Sequence, residues 1–231
     1  MDRPILMSAP MVRALLNDTK TQTRRVMKPQ PHHMYGDQAY GPPHGRCEPD
    51  GGSVGYPLLL CPYGQPGDRL WVREAWRTTS DLDKLSGGQI AEACIEAGYM
   101  DPWAPLQWEA DLSRRNWVHT GTPPPNESEP PAGRYRHARF MPRWASRITL
   151  EITEVRVQRL QAITEMDAYT EGIDTEGHAY NEAEHAMIGG ASSRLAPSVH
   201  AYACLWDSIN GPGSWDANPW VWAISFRRAA S

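Results

Sequence analysis

The segment from Ser146 to Leu160, SRITLEITEVRVQRL, constrains the fold of this chain more than any other feature of its sequence. Apolar residues alternate with polar ones along most of its length, which predicts a long strand with one buried face. The alternation shifts by one residue at Thr153–Glu154, and such a shift indicates a β-bulge, which is common where a sheet curls toward a barrel. The segment therefore predicts a curved sheet.

Three shorter segments predict elements before this strand. Ser8 is suited to cap a short helix with Pro10 in its first turn, ending near residue 18. The run KTQTRRVM at 20–27 predicts a strand leaving that helix. PGDRLWVREAW at 66–76 predicts a turn and a strand, with Glu74 on the same face as two apolar residues.

Three further segments predict the elements after it. ITEMDAYTEGI at 163–173 predicts a helix of about two turns, capped by Thr164 and stopped by Gly172. Residues 197–210 predict an amphipathic helix, and residues 219–228 a closing strand. The order shows neither βαβ alternation nor an internal repeat, so it predicts an α+β fold on a curved, mostly antiparallel sheet with flanking short helices.

Proline, glycine and cysteine describe the connecting segments. The 21 Pro and 19 Gly concentrate in residues 29–67 and 121–133, which predicts long irregular loops there. The four cysteines lie far apart and form no CxxC pair, so we expect no disulfide framework. The alternative to ordinary thiols and loop histidines is a zinc site formed from His32 or His33 with His44, Cys47 and Cys61. We expect no metal and no cofactor.

The formal net charge of −4 hides a segregation of charge along the chain. Residues 1–31 contain six Lys or Arg against two Asp, and residues 160–193 contain seven acidic residues and no Lys or Arg. Residues 134–147 contain five Arg and no acid, with aromatic rings between them. This last pattern suits a contact with single-stranded RNA or DNA, but arginines that cover core tryptophans would give the same pattern.

Hydropathy gives an expectation about location. No apolar run approaches the roughly 20 residues that a membrane helix needs. The N-terminal sequence MDRPILMSAPMVR lacks the uninterrupted apolar stretch of a secretory signal. We therefore expect a cytoplasmic protein that does not contact a membrane.

Four segments together resemble the ASCH domain family, and most closely its members encoded by phages and prophages. They are LLNDTKTQTRR at 15–25, PGDRLWVRE at 66–74, ITEMDAYTEGI at 163–173 and LWDSINGPGSWDANPWVWAISF at 205–226. The resemblance implies a PUA-like β-barrel. It also implies one domain over residues 1–231, with insertions at about 29–60 and 77–140.

Within that family, the chain is similar to the small amidohydrolases that remove the acyl group from N4-acetylcytidine. Their lysine and nucleophilic threonine lie in a K-T-x-T run after the first helix, which matches Lys20 and Thr23. Their glutamate ends a short helix in a T-E-x-x-A-x-x-E pattern, which matches Glu171. The resemblance therefore implies Lys20, Thr23 and Glu171 as a catalytic triad acting on a small nucleoside or nucleobase.

The chemistry of an exocyclic amide fits these residue types. The amine of cytosine is a delocalised leaving group, so a hydroxyl nucleophile with a general base can cleave the amide without a metal. Thr23 would attack the acyl carbonyl, and Lys20 would accept the hydroxyl proton if Arg24, Arg25 and burial lower its pKa. Strict strand alternation places Lys20 and Thr23 on opposite faces, so both line one pocket only if Lys20 belongs to the preceding turn or a bulge intervenes.

Other residues are candidates for substrate binding. Arg24 and Arg25 adjoin the predicted catalytic pair, and Glu74 either pairs with an arginine or lines the pocket. Weaker candidates for base or phosphate contacts are Arg73, Tyr63 and Trp76. Two alternative functions stay open, namely a PUA-like module that binds RNA or modified DNA through residues 134–147, and a metal-independent ribonuclease.

Overall fold

The computed structural model describes residues 1–31, 33–35, 38–40, 60–98, 100–117, 129–173 and 195–229. These ranges form a mixed α/β structure, which confirms the predicted class. The strands are β1 (Asp2–Leu6), β2 (Gln22–Val26), β3 (His33–Tyr35), β4 (Gln38–Tyr40), β5 (Arg69–Arg73), β6 (Trp76–Arg77), β7 (Leu106–Trp108), β8 (Arg114–Arg115), β9 (Thr149–Arg159) and β10 (Trp220–Arg228). The α-helices are α1 (Ala9–Leu16), α2 (Gly87–Glu96), α3 (Glu165–Thr170) and α4 (Pro197–Asn210).

The strands form three sheets. The largest has the order β1-β5-β9-β10-β2, and two small ones have the orders β3-β4 and β6-β7-β8. Only β1 and β5 pair in parallel among the pairings whose register the structure gives. This agrees with the predicted mostly antiparallel sheet. The linear order of the five-stranded sheet does not show the closed barrel that the resemblance implies.

The described chain divides into two compact units, where the sequence suggests one domain with insertions. The first unit contains residues 1–17, 69–151 and 228–231, and the second contains residues 18–68 and 152–227. Each unit is therefore assembled from segments far apart in the chain. The described part of each has its own cluster of buried apolar side chains.

The first unit contains β1, paired in parallel with β5, and β5 in turn pairs antiparallel with the first residues of β9. The small sheet β6-β7-β8 and helix α2 lie within residues 76–115, most of which the resemblance treats as an insertion. Its core contains Trp76, Leu106, Trp108, Met141 and Ala145. Strands of two or three residues are too short to show a periodicity, so the sequence did not predict them.

The second unit contains β2 paired antiparallel with β10, and α3 packed against α4. Their apolar side chains form a cluster that includes Leu160, Ala168, Trp206, Trp215 and Val221. Strand β9 is continuous across the predicted phase slip, with Thr153 and Glu154 both exposed. That exposure of two adjacent side chains is the expected result of the slip.

Two sequence predictions concern membranes and metals. No helix within the described ranges is both long enough and apolar enough to cross a bilayer. Three members of the zinc alternative, His32, His44 and Cys47, lie outside the described residues. Among the residues that are described, no group of three or more His, Cys, Asp or Glu side chains has an arrangement suited to a metal ion.

Candidate active site

Backbone pairing brings the end of α3 next to the start of β2. Lys20 and Glu171 form an isolated antiparallel bridge, and the Thr21 amide donates to the Thr170 carbonyl at 2.8 Å. Helix α3 begins with a capping box between Thr164 and Asp167, as the sequence predicts. These contacts fix Glu171, the residue at the C-terminal end of the helix, beside Lys20.

Among the described residues, Glu171 binds the Lys20 ammonium through two oxygens. Lys20 Nζ donates to the carbonyl oxygen of Glu171 at 2.7 Å and to its carboxylate Oε2 at 2.9 Å. Lys20 is only 2% exposed and Glu171 only 4% exposed. A lysine–carboxylate pair buried this deeply is sheltered from solvent screening, so its charge state depends on its immediate neighbours.

Arg24 holds the second oxygen of the same carboxylate. Its NH1 donates to Glu171 Oε1 at 3.0 Å and to Gln22 Oε1 at 2.6 Å. Its NH2 lies 3.0 Å from Asp167 Oδ2. Because the Arg24 side chain is buried and its guanidinium is committed to these acids, the structure gives it a role in orienting Glu171.

The electrostatics of this cluster shift the pKa of both Lys20 and Asp167. Burial lowers the pKa of Lys20, and the positive charges of Arg25 and Arg24 lower it further, whereas Glu171 opposes the shift. Burial acts to raise the pKa of Asp167, but the backbone hydrogen bond at Thr164 and the charge of Arg24 leave that pKa below its usual value. A lysine with a lowered pKa loses its proton more readily and can then act as a base.

The register of β2 and β10 assigns Thr23 to a different face from Arg24. Arg24 pairs with Ala223 and Thr23 with Ile224, and neighbours along a strand point to opposite sides of the sheet. Gln22, two residues before Arg24, lies on the same face, and its side chain donates to the Ser225 hydroxyl. Lys20 does precede β2, as a shared pocket requires, but alternation within β2 turns Thr23 away from the side chains that bind Glu171.

Helix α4 adds Tyr202, which the sequence did not single out. The Arg24 guanidinium carbon lies 5.9 Å from the centroid of the Tyr202 ring. Tyr202 is 4% exposed, and burial together with the negative charge of Glu171 raises its pKa well above the usual value. Nothing in the local sequence of an amphipathic helix distinguishes this tyrosine from the apolar residues that pack around it.

Glu74 pairs with an arginine, which is one of its two predicted alternatives. Arg147 Nε and NH2 donate to Glu74 Oε1 and Oε2, both at 2.9 Å, and its NH1 lies 2.9 Å from Asp111 Oδ2. Burial raises the pKa of Glu74 although Arg147 opposes this. Burial would also raise the pKa of Asp111, but hydrogen bonds from Arg147 and Ser113 lower it to about 2. The cluster lies in the first unit, whereas Lys20 and Glu171 lie in the second.

The remaining predicted binding residues are dispersed. Trp76 is completely buried in the apolar core of the first unit. Arg73 lies in the same unit and donates to the carbonyl oxygen of Arg139 at 3.2 Å. Tyr63 is half-buried in the second unit, and Arg25 is half-buried in β2 opposite Trp222.

The arginines of residues 134–147 divide into two groups. Arg136 and Arg147 are structural, since Arg136 donates to the carbonyl oxygens of Leu82 and Leu85 and Arg147 binds acidic side chains. Arg134, Arg139 and Arg143 are exposed, as is the ring of Phe140. Only part of this segment therefore has the structural role that the sequence offered as an alternative, and the nucleic-acid contact stays a prediction.

Comparison with known proteins gives no relative. No family model matches the chain, and neither the curated proteins nor the solved structures contain a significant match. The similarity to the ASCH amidohydrolases therefore rests on the motifs quoted above alone. The roles inferred from those motifs are proposals.

Proposed function

We propose that this chain is a cytoplasmic, metal-free amidohydrolase with a PUA-like fold that removes acyl groups from N4-acylated cytosine or cytidine. The observation that supports the proposal is the buried Lys20–Glu171 pair. The sequence resemblance selected both residues, and the structure joins them by a 2.9 Å ion pair across 151 positions of the chain.

The reaction adds the elements of water across the amide. The bond between the acyl carbon and N4 breaks, the carbon gains a hydroxyl, and N4 gains a proton and leaves as the free amine. Lys20 in its neutral form accepts the proton of the attacking oxygen and, once charged, returns it to the leaving nitrogen. Glu171 stabilises the ammonium formed in between, while Arg24 holds the carboxylate in place.

The attacking oxygen belongs either to Thr23 or to a water molecule, and variants distinguish the two. The resemblance gives it to Thr23, whereas the strand register favours a water molecule on the Lys20 side of β2. With Thr23 as nucleophile, Thr23→Ala loses activity as completely as a Lys20 variant. With water as nucleophile, Thr23→Ala keeps most of its activity, because the base and its carboxylate partner are intact.

The first experiment is hydrolysis of N4-acetylcytidine and N4-benzoylcytosine by the purified protein with a chelator present. Wild type should release the free amine, and Lys20→Met should lose activity by at least about 10²-fold because the general base is gone. Lys84→Met, which changes an exposed lysine in the first unit, is the matched control and should keep full activity.

Inactivity of a folded wild type on both substrates would contradict the proposal. The same preparations incubated with RNA test the ribonuclease alternative, since cleavage that survives chelator and disappears in Lys20→Met would favour that function. Circular dichroism of each variant shows whether lost activity reflects lost folding.

A second candidate function is the binding of single-stranded nucleic acid by the first unit. Arg73 lies 4.6 Å and Arg143 5.9 Å from the ring centroid of Trp71, and Arg139 lies 4.7 Å from that of Phe140. Phe140 is 63% exposed. Guanidinium groups bind phosphates and a free aromatic face stacks on bases, so this surface has the chemistry of a single-strand contact.

Binding of a labelled oligonucleotide, followed by fluorescence anisotropy, tests this surface. The logarithm of the affinity should fall with the logarithm of salt concentration, and Phe140→Ala and Arg139→Ala should each weaken binding several-fold. Arg159→Ala is the matched control, because Arg159 is also exposed and stacks on Trp220 but lies in the second unit. Equal losses in all three variants, or binding that salt does not change, would count against a specific surface.

A further inference from the structure

Helix α4 presents a row of buried polar groups on one face. Ser198, Tyr202 and Trp206 follow each other at intervals of four residues, which aligns them along the helix. Within the described residues, the Ser198 hydroxyl and the Trp206 indole N–H have no hydrogen-bond partner. Buried polar groups in native proteins are nearly always paired, so such a row is unusual.

Tyr202, the middle member of this row, faces the charged cluster. Its ring lies beside the Arg24 guanidinium, and burial, with the nearby negative charges of Glu171 and Asp167, raises its pKa. No hydrogen bond joins this hydroxyl to any residue that the structure describes. Tyr202, a residue that is 4% exposed, thus brings a hydroxyl with no hydrogen bond to the described residues to the face of β2 where Lys20 and Glu171 meet.

The protonation of this hydroxyl defines what it can do. Burial and the neighbouring carboxylates favour the neutral phenol over the phenolate. A neutral phenol is a hydrogen-bond donor, and among the described residues neither the Glu171 carboxylate, which binds Lys20 and Arg24, nor another group accepts from it. A donor held without a partner next to a general base is suited to an oxygen atom of the substrate.

We propose that the Tyr202 hydroxyl donates a hydrogen bond to the acyl carbonyl oxygen of the substrate and stabilises the negative charge that this oxygen acquires when the carbon is attacked. The inference rests on the proposed amidohydrolase function and adds to it the residue that fulfils the oxyanion role. Because the charge on the oxygen develops only during the reaction, the bond strengthens in the transition state more than in the bound substrate.

Tyr202→Phe tests the role because it removes only the hydroxyl. Loss of one oxyanion donor lowers kcat by on the order of 10²-fold, and the KM should change little. Tyr169→Phe is the matched control, since Tyr169 lies on α3 and is 44% exposed, and it should keep the wild-type kcat. Thermal unfolding of both variants checks that the fold is kept.

The outcomes separate this inference from the proposed function. Wild-type hydrolysis with an unchanged kcat in Tyr202→Phe would overturn the role of Tyr202 and leave the function standing, as would a raised KM with an unchanged kcat. Absence of hydrolysis by the wild type would overturn both.

Should Tyr202→Phe fail to fold, Tyr202 replaced by 3-fluorotyrosine keeps the ring and the hydroxyl and makes the hydroxyl a stronger donor. It should then raise kcat, whereas the same replacement at Tyr169 should not. An unchanged kcat in the protein fluorinated at position 202 would overturn the inference.

Discussion

Lys20 shows how burial changes the properties of a single residue. Its ammonium is removed from water and its compensation comes from one carboxylate, Glu171, so the cost of burying the charge is only partly offset. The buried Glu74–Arg147 pair differs, because Arg147 is shared with Asp111 and holds both oxygens of Glu74. The two clusters illustrate a lysine whose protonation is easily altered and an arginine that stays charged.

The lowered pKa of Lys20 predicts how stability depends on pH. Between that lowered value and the ordinary lysine value of about 10.4, the unfolded chain binds more protons than the native protein, so stability rises with pH. The free energy of unfolding of the wild type should therefore increase relative to that of Lys20→Met from neutral pH to about pH 10. Urea denaturation of both proteins at several pH values measures this difference.

Lys84→Met serves as the control for that measurement. Lys84 is exposed and lies in the first unit, so Lys84→Met removes a lysine without touching the Lys20–Glu171 pair. A constant difference between the wild type and Lys20→Met would show that the environment of Lys20 does not disfavour its charged form.

At the scale of elements, the short helix α3 positions the acidic side chains of the candidate site. It starts at the Thr164 capping box, carries Asp167 on the way and ends next to Glu171, so one short helix positions two acids that bind Arg24. A helix this short is unstable by itself, and its cap and its packing on α4 decide whether it forms.

Thr164→Ala should therefore affect both stability and activity. Loss of the cap should lower the free energy of unfolding by about 1 kcal/mol. It should also reduce hydrolysis, since fraying of α3 loosens Glu171. Urea denaturation and kcat, measured on the same preparation, test the two effects together.

The capping box of helix α2 is its control. Ser86 caps α2 in the first unit with the same pair of hydrogen bonds, here with Gln89. Ser86→Ala should cost about 1 kcal/mol as well but leave kcat unchanged. Equal losses of activity in both variants would indicate a general effect of stability.

At the scale of the whole molecule, tryptophan supplies much of the core. The chain has ten Trp and only two Phe. Six of these tryptophans are buried, and they occur in both units: Trp71, Trp76, Trp108, Trp206, Trp215 and Trp222. Large rings bury much apolar area per residue, which compensates for a sequence rich in Pro and Gly.

Intrinsic tryptophan fluorescence should distinguish the buried rings from the exposed ones. Most of the native emission should resist quenching by acrylamide, because the buried rings are out of its reach. Trp103, which is 42% exposed, should account for a large part of the quenchable fraction, and Trp103→Phe should remove that part. Retention of the full quenchable fraction in Trp103→Phe would contradict the exposure of this ring, and Trp76→Phe provides the buried comparison.

The sequence by itself determined the elements whose signals are local. The alternation of β9, the Thr164 cap and Gly172 stop of α3, and the bounds of α4 all follow from neighbours within a few residues, and the structure agrees with each. The pairing of Lys20 with Glu171 came from resemblance. Short elements such as β6 and β8 carry too few residues to show a pattern.

Only the tertiary structure decided which side chains meet. The register of β2 with β10 set Arg24 opposite Ala223, packing of α4 brought Tyr202 to Arg24, and Glu74 paired with Arg147. These contacts join residues tens to hundreds of positions apart. Their energies depend on distance, burial and register, which no local pattern encodes.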